Sequence, residues 1–148
     1  PNATCLGDIS LAEFEANKHL IKRDIVRQRV THVIEEDDRV LKSIEALEKG
    51  DILEFGRLIN ASGDSLRDLY EVTGKELDTL VAEARKIDGT IGSRMTGAGF
   101  GGCALAIVKE ECVDKFIENV GKEYNEKIGY VAEFYIAEIA DGAGELVD

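Results

Sequence analysis

A chain of 148 residues with 30 acidic and 18 basic side chains carries a formal net charge of −12. That balance excludes non-specific binding to nucleic acid or anionic membranes, both of which need basic patches. At 44% hydrophobic and 32% charged, the composition is that of one globular domain, long enough to bury about 68–70% of its unfolded surface.

In chain order, Pro1 to Ser10 reads as irregular, and Ser10 is an N-cap for a first helix over Leu11 to Leu20. Ile25 to Leu47 is the clearest long helix. Val26, Val30, Val33, Val40, Ile44 and Leu47 follow alternating four- and three-residue steps, which predicts one apolar face that needs a packing partner. Gly50-Asp51 stops the helix and restarts the chain into a short helix ending near Asn60. A polar stretch, Ser62-Gly63-Asp64-Ser65, precedes a short amphipathic turn over Leu66 to Tyr70. Thr73 with Glu76 fits a capping box, opening a helix that carries Leu77, Leu80, Val81, Ala84 and Ile87 on one face.

The texture then changes. Gly89 to Met95 reads as a turn into a strand, and Cys103 to Val108 as a short buried strand. Val113, Phe116, Ile117, Val120 and Tyr124 mark a helix that ends at Lys127-Ile128-Gly129. Ala132, Phe134 and Ile136 alternate with Glu133 and Tyr135, which predicts a final half-buried strand. The pattern gives one α+β domain over residues 1–148, with helices in the first half and strand, loop, strand, helix and strand in the second.

Between the two central strands lies Met95-Thr96-Gly97-Ala98-Gly99-Phe100-Gly101-Gly102-Cys103. Six of the 15 glycines fall between Gly89 and Gly102, and four of those between Gly97 and Gly102. Glycine is conformationally costly, so such a cluster signals positive φ or the close approach of a backbone or an anion to bare N–H groups. Gly97, Gly99 and Gly102 match G-x-G-x-x-G, but a dinucleotide fold needs that motif to open a helix, and a strand follows here. Ala106-Ile107-Val108-Lys109 faintly echoes the protein-kinase strand lysine, yet no H-R-D or D-F-G motif follows. A Walker loop needs Gly-Lys-Ser/Thr where this chain has Gly102-Cys103-Ala104. Spacing alone therefore leaves a tight packing turn equally open. The net charge also sits awkwardly with phosphate binding, unless the phosphates meet backbone amides or basic residues supplied from elsewhere.

No complete catalytic set is found. His32, with Arg29 and Glu36 at helical spacing, is expected in a surface or interface network, and no second histidine stands near it as a metal ligand. Ser62 and Ser65 have no histidine base nearby in sequence. Glu35-Glu36-Asp37-Asp38 is expected to be a solvated helix face rather than a metal site. Asp64 and Asp68, one helical turn apart, are expected to cap and meet solvent. Cys5, Cys103 and Cys112 form no C-x-x-C pair, so neither a disulfide framework nor a cysteine zinc site is expected, and a reducing cytosol is. No signal-peptide pattern or apolar run of about 18 residues is present, which predicts a soluble chain. The chain opens on Pro1 and its only methionine is Met95, so a fragment or processed piece is expected.

Arg94 to Cys103 closely resembles the third signature motif of galactokinases, members of the GHMP small-molecule kinase superfamily. Ser65-Leu66-Arg67-Asp68-Leu69-Tyr70-Glu71-Val72-Thr73 with Glu76-Leu77-Asp78 resembles the segment that precedes this motif. Arg29, His32, Val33, Glu36 and Arg39 resemble the long-helix pattern, and Asp141-Gly142-Ala143 the usual ending. The resemblance runs in order over most of the chain. It departs at Gly63, where the family commonly has histidine after the serine.

The resemblance implies the ferredoxin-like carboxy-terminal domain of a two-domain kinase, with helices on a small, mainly antiparallel sheet. Such enzymes move the γ-phosphate of ATP to the C1 hydroxyl of α-D-galactose with magnesium. A non-catalytic sugar sensor on the same scaffold, or a kinase of a related sugar such as N-acetylgalactosamine, is the alternative. The sugar motif, ATP loop and catalytic aspartate belong to the amino-terminal part in the family, and none of those motifs occurs between Pro1 and Asp148. The implied partners are that amino-terminal domain, ATP and galactose, in the cytoplasm. The chain alone is expected to be inactive, without a catalytic residue, metal ligand or cofactor of its own. Its implied nucleotide-binding contribution is Thr96, Gly97, Ala98, Gly99, Phe100, Gly101 and Gly102, with Thr96 at the rim.

Overall fold

The computed structural model describes residues 3–138 and 144–145. The Asp141-Gly142-Ala143 ending falls outside them. Five helices and one hairpin make the fold among the described residues. They are α1 (Leu11–Asn17), α2 (Asp24–Glu48), α3 (Ile52–Ser65), α4 (Lys75–Ala84), β1 (Thr90–Thr96), β2 (Cys103–Val108) and α5 (Val113–Ile128). Ser10 caps α1, its hydroxyl accepting from the Glu13 N–H while the Glu13 carboxylate returns to Ser10. Asp51 does the same service for α3, through the Glu54 N–H.

The third helix runs past Asn60, the expected end, to Ser65, and passes into a π-helical turn over Leu66–Tyr70. The chain leaves that turn through Glu71, a non-glycine residue at φ 58°. Thr73 does not cap the next helix. It is buried, and the cap position falls on Gly74 at φ 93°, without a side-chain cap. The exit at Glu71 turns Thr73 inward, so the capping pattern in the sequence loses to packing.

β1 and β2 form an antiparallel pair from Thr96↔Cys103 back to Thr90↔Val108, with an irregularity between Thr90 and Gly92. α3 crosses β1 at close range, where a Cβ on Gly56 would sit 2.2 Å from the Ile91 carbonyl oxygen. Two apolar clusters hold the layers. Leu66, Leu77 and Met95 pack with Val72 and Ala104. Ala84, Phe116 and Val120 pack with Ala106, Val108 and Phe134. The architecture is thus α+β, with helices on a small antiparallel sheet.

One expectation about covering differs from the structure. Along the apolar stripe of α2, Val30 and Val33 are half-buried, while Val26, Val40, Ile44 and Leu47 are uncovered among the described residues, because α3 packs on a different face. His32, Ile34 and Ala46 are the buried positions, whereas Val40, Leu41, Ile44 and Leu47 are exposed. The final strand is absent as a paired element among the described residues. Ala132 and Phe134 are half-buried as the alternation predicts, but the sheet has two strands and Ile136 is exposed.

Candidate functional site at the glycine loop

The loop from Gly97 to Gly102 joins β1 to β2. Its backbone needs glycine for two separate reasons. Gly97 at φ 77° and Gly101 at φ 95° stand in open space, so conformation alone requires them. Gly99 at φ 82° is also packed, since a Cβ there would lie 2.0 Å from the Val72 carbonyl oxygen and 3.1 Å from the Met95 sulfur. Phe100 adopts φ 57° despite its side chain, and its N–H donates to the Val72 carbonyl at 2.8 Å. The middle of the loop is therefore pinned to the segment that follows the π-helical turn.

Of the amides between Gly97 and Gly102, that of Phe100 is the one bonded back to the protein among the described residues. The amides of Gly97, Ala98, Gly99, Gly101 and Gly102 are left for water or an anion, beside the exposed Thr96 and a Phe100 ring that is 78% exposed. Acid–base groups are missing from the loop itself. What it offers is donor groups on a fixed backbone, suited to positioning negative charge.

Behind the loop lies a polar cluster that the sequence did not reveal as one unit. Arg94, on β1, donates to the Ser62 hydroxyl at 2.6 Å and to the Met95 carbonyl at 2.9 Å. The Ser62 hydroxyl in turn donates to Glu36 at 2.6 Å, and Glu36 also holds Arg39. Glu36 is thus part of the α2–α3 interface and not of a solvated face. Asp64 likewise does more than meet solvent, because it accepts from Arg85 at 2.7 Å. Arg85 also donates to the Asn60 and Ser93 carbonyls, across the open side of Gly63. A Cβ at Gly63 would stand 2.7 Å from that guanidinium, so Arg85 fills the space that a histidine would need.

His32 is interior rather than superficial. Its Nδ1 and the Ser65 hydroxyl are hydrogen-bonded at 2.9 Å, and its ring stacks on Tyr70 at 4.4 Å. Sequence separation hid this histidine–serine pair. Both residues are buried, so the pair serves packing and not nucleophilic chemistry. Burial, opposed by Glu36, holds the imidazole below its usual value of 6.5. On acidification the unfolded chain therefore takes up this proton first. The stability from neutral His32 is fully present above pH 6.5 and is lost as pH falls from there through the folded value. The urea midpoint is expected to decline over that window, and His32→Asn should flatten the decline while lowering the midpoint throughout.

The carboxylate of Glu83 is also buried, which would raise its pKa, but bonds from Lys127 and Lys86 at 2.8 Å bring it below 4.5. Its contribution is fully present above pH 4.5 and is lost as pH falls from there through the folded value. No group of three or more His, Cys, Asp or Glu side chains is placed to hold a metal ion among the described residues. No helix of those residues is long and apolar enough to cross a membrane.

Comparison with known proteins follows the same geometry. A family model described as GHMP kinases C terminal matches residues 43–126, more than half of the chain. The galactokinase of Fusobacterium nucleatum is 54% identical over 145 residues, covering 98% of this chain and 37% of that protein. The galactokinase of Lacticaseibacillus casei is 56% identical over 141 residues, covering 95% and 36%. A crystal structure of Lactococcus lactis galactokinase complexed with galactose superimposes with a TM-score of 0.91 at 46% identity, over 96% of this chain and 37% of that one. The chain thus spans little more than a third of the length of the relatives it matches.

Proposed function

Because this chain belongs to the GHMP kinase carboxy-terminal family, we propose that residues 1–148 are the carboxy-terminal domain of a longer, two-domain galactokinase of the cytoplasm. In this reading the whole protein transfers the γ-phosphate of ATP to the C1 hydroxyl of α-D-galactose. The observation that carries the proposal is the glycine loop, largely exposed, whose amides other than that of Phe100 make no hydrogen bond to the described residues, on a backbone fixed at Val72. Phosphoryl transfer depends chiefly on positioning and on stabilising charge spread over phosphate oxygens. A loop with no acid–base residue can serve both ends.

Thr96 and residues 97–102 then form one wall of the nucleotide site. The catalytic base, the principal phosphate loop and any magnesium ligands lie on the remainder of the protein. A net charge of −12 is compatible with ATP binding when backbone amides on this side meet basic groups on the other. The exposed Val40, Leu41, Ile44 and Leu47 of α2 offer that remainder an apolar docking face.

Arg29 supports the loop at a distance. Its guanidinium donates to the Leu69 carbonyl and pairs with Glu71, bracing the corner that carries Val72. Arg29→Ala is expected to lower kcat of the full-length protein about tenfold through small loop displacement. Arg29→Lys should not restore it, since an ammonium lacks the fork needed to hold both partners.

The test of function is product identity. The full-length protein, given ATP with galactose or N-acetylgalactosamine, should yield a sugar 1-phosphate detectable by phosphorus NMR, with galactose the better substrate. Galactose binding without ADP release would instead support a sugar sensor on this scaffold.

A further inference from the structure

Among the described residues, two that are not glycine stand at positive φ, Glu71 at 58° and Phe100 at 57°. They are far apart in sequence, yet one hydrogen bond nearly joins them. The Phe100 N–H donates at 2.8 Å to the carbonyl of Val72, the residue after Glu71. Left-handed backbone is strained for a residue with a side chain, and it persists only where the surroundings impose it. Two such residues meeting at one carbonyl mark a single device.

The device starts at the end of α3. There the chain widens into the π-helical turn over Leu66–Tyr70, a form frequent at functional sites. The Leu66 carbonyl accepts from the Glu71 N–H and, at 3.2 Å, from the Val72 N–H, which closes the turn. Left-handed residues at helix ends are usually glycine. Here the residue is glutamate, with Arg29 of α2 as its partner, and its side chain is 57% exposed, so replacing it disturbs little packing. Arg29 also holds the Leu69 carbonyl, while Tyr70 stacks on the buried His32. The turn is thus clamped from α2, and the clamp sets the direction of the Val72 carbonyl. That carbonyl meets the Phe100 N–H and closely approaches Gly99, where a Cβ would lie 2.0 Å away. Both middle residues of the glycine loop rest on it.

We propose that Glu71 is a positioning residue for phosphoryl transfer, acting through its left-handed backbone and not through its carboxylate. The proposal rests on the functional reading above, in which the glycine loop walls the nucleotide site. Glu71 turns the Val72 carbonyl toward the loop, and the loop amides that make no hydrogen bond to the described residues inherit their direction from that contact. Because the backbone does the aiming, residues that adopt positive φ readily can replace Glu71. A glycine there loses the Arg29 pair and gains freedom, so it weakens the device without removing it. A β-branched residue resists the left-handed region, so it takes the Val72 carbonyl off the loop.

Full-length Glu71→Gly, Glu71→Asn and Glu71→Val proteins test this, with turnover and single-amide hydrogen exchange read on the same samples. Glu71→Gly and Glu71→Asn are expected to keep at least about a third of kcat. Glu71→Val is expected to lower kcat about tenfold or more, with KM for galactose changed less than about twofold. Its Phe100 amide should exchange at least about tenfold faster than in Glu71→Gly, while amides inside α3 and α5 exchange alike in both. Where Glu71→Val does not fold, Glu71→Ala serves instead and is expected to fall below Glu71→Gly in kcat. Faster exchange throughout the helices would overturn the proposal, because it reports a general loss of stability. Equal loss of turnover in the glycine and valine variants would overturn it as well, by assigning the role to the carboxylate. Near-normal kcat in Glu71→Val would do the same. If the unmutated protein phosphorylates no sugar, the functional reading fails, and exchange at Phe100 still decides whether Glu71 sets the loop.

Discussion

Gly99→Val in the full-length protein is expected to cut turnover by about a hundredfold or more while leaving the helical circular dichroism unchanged. The reason is local. A Cβ at residue 99 would stand 2.0 Å from the Val72 carbonyl oxygen, and the φ of 82° disfavours any branched side chain. The loop must then lift from Val72 and lose the Phe100 N–H bond that pins it. Displacing reacting groups by about 1 Å can cost about a hundredfold in rate. The helices are expected to persist because the loop lies outside them and the cluster around Phe116 contains no loop residue, although Met95 and Val72 of the other cluster must shift. Gly101→Ala makes the comparison sharp, since its Cβ meets nothing within 4 Å and only the backbone conformation is strained. Near-normal kinetics for Gly99→Val would remove the loop from the active site.

Gly56→Val is expected to act on stability instead, lowering it by about 3 kcal/mol in urea unfolding. Gly56 is where α3 crosses β1, and a Cβ there would lie 2.2 Å from the Ile91 carbonyl oxygen and 2.8 Å from its carbon. Backbone atoms cannot rotate away as a side chain can, so the helix must withdraw from the sheet. Gly92 faces back across the same crossing, 2.7 Å from the Gly56 carbonyl by the same construction. The smaller Gly56→Ala should still cost about 1–2 kcal/mol. A neutral effect would mean that the α3–β1 contact is looser in solution.

Much of the element order was legible because it depends on local chemistry. Ser10 and Asp51 are caps that work through residues three positions away. The strand–loop–strand order followed from a glycine cluster between a turn leading into a strand and the apolar run Cys103–Val108. Where long-range packing decides, local signals gave the wrong answer. Thr73 and Glu76 fit a capping box, but the inward turn at Thr73 moved the cap to Gly74. The valine stripe on α2 called for a packing partner, but no local signal showed that α3 covers another face, containing His32, whose serine and tyrosine partners are more than 30 residues away. The network of Glu36, Ser62 and Arg94 was hidden for the same reason. The glycine loop was visible from spacing. Its attachment to Val72 was not, because a backbone carbonyl leaves no sequence signature.

The central claim is that this chain supplies one wall, and not the chemistry, of a phosphoryl-transfer site. ADP release in the presence of ATP and galactose, measured on the full-length protein and on residues 1–148 alone, tests it most directly. Turnover by the full-length protein with none from the chain alone is the expected result. Robust galactose-dependent ADP release by the purified chain would contradict the account.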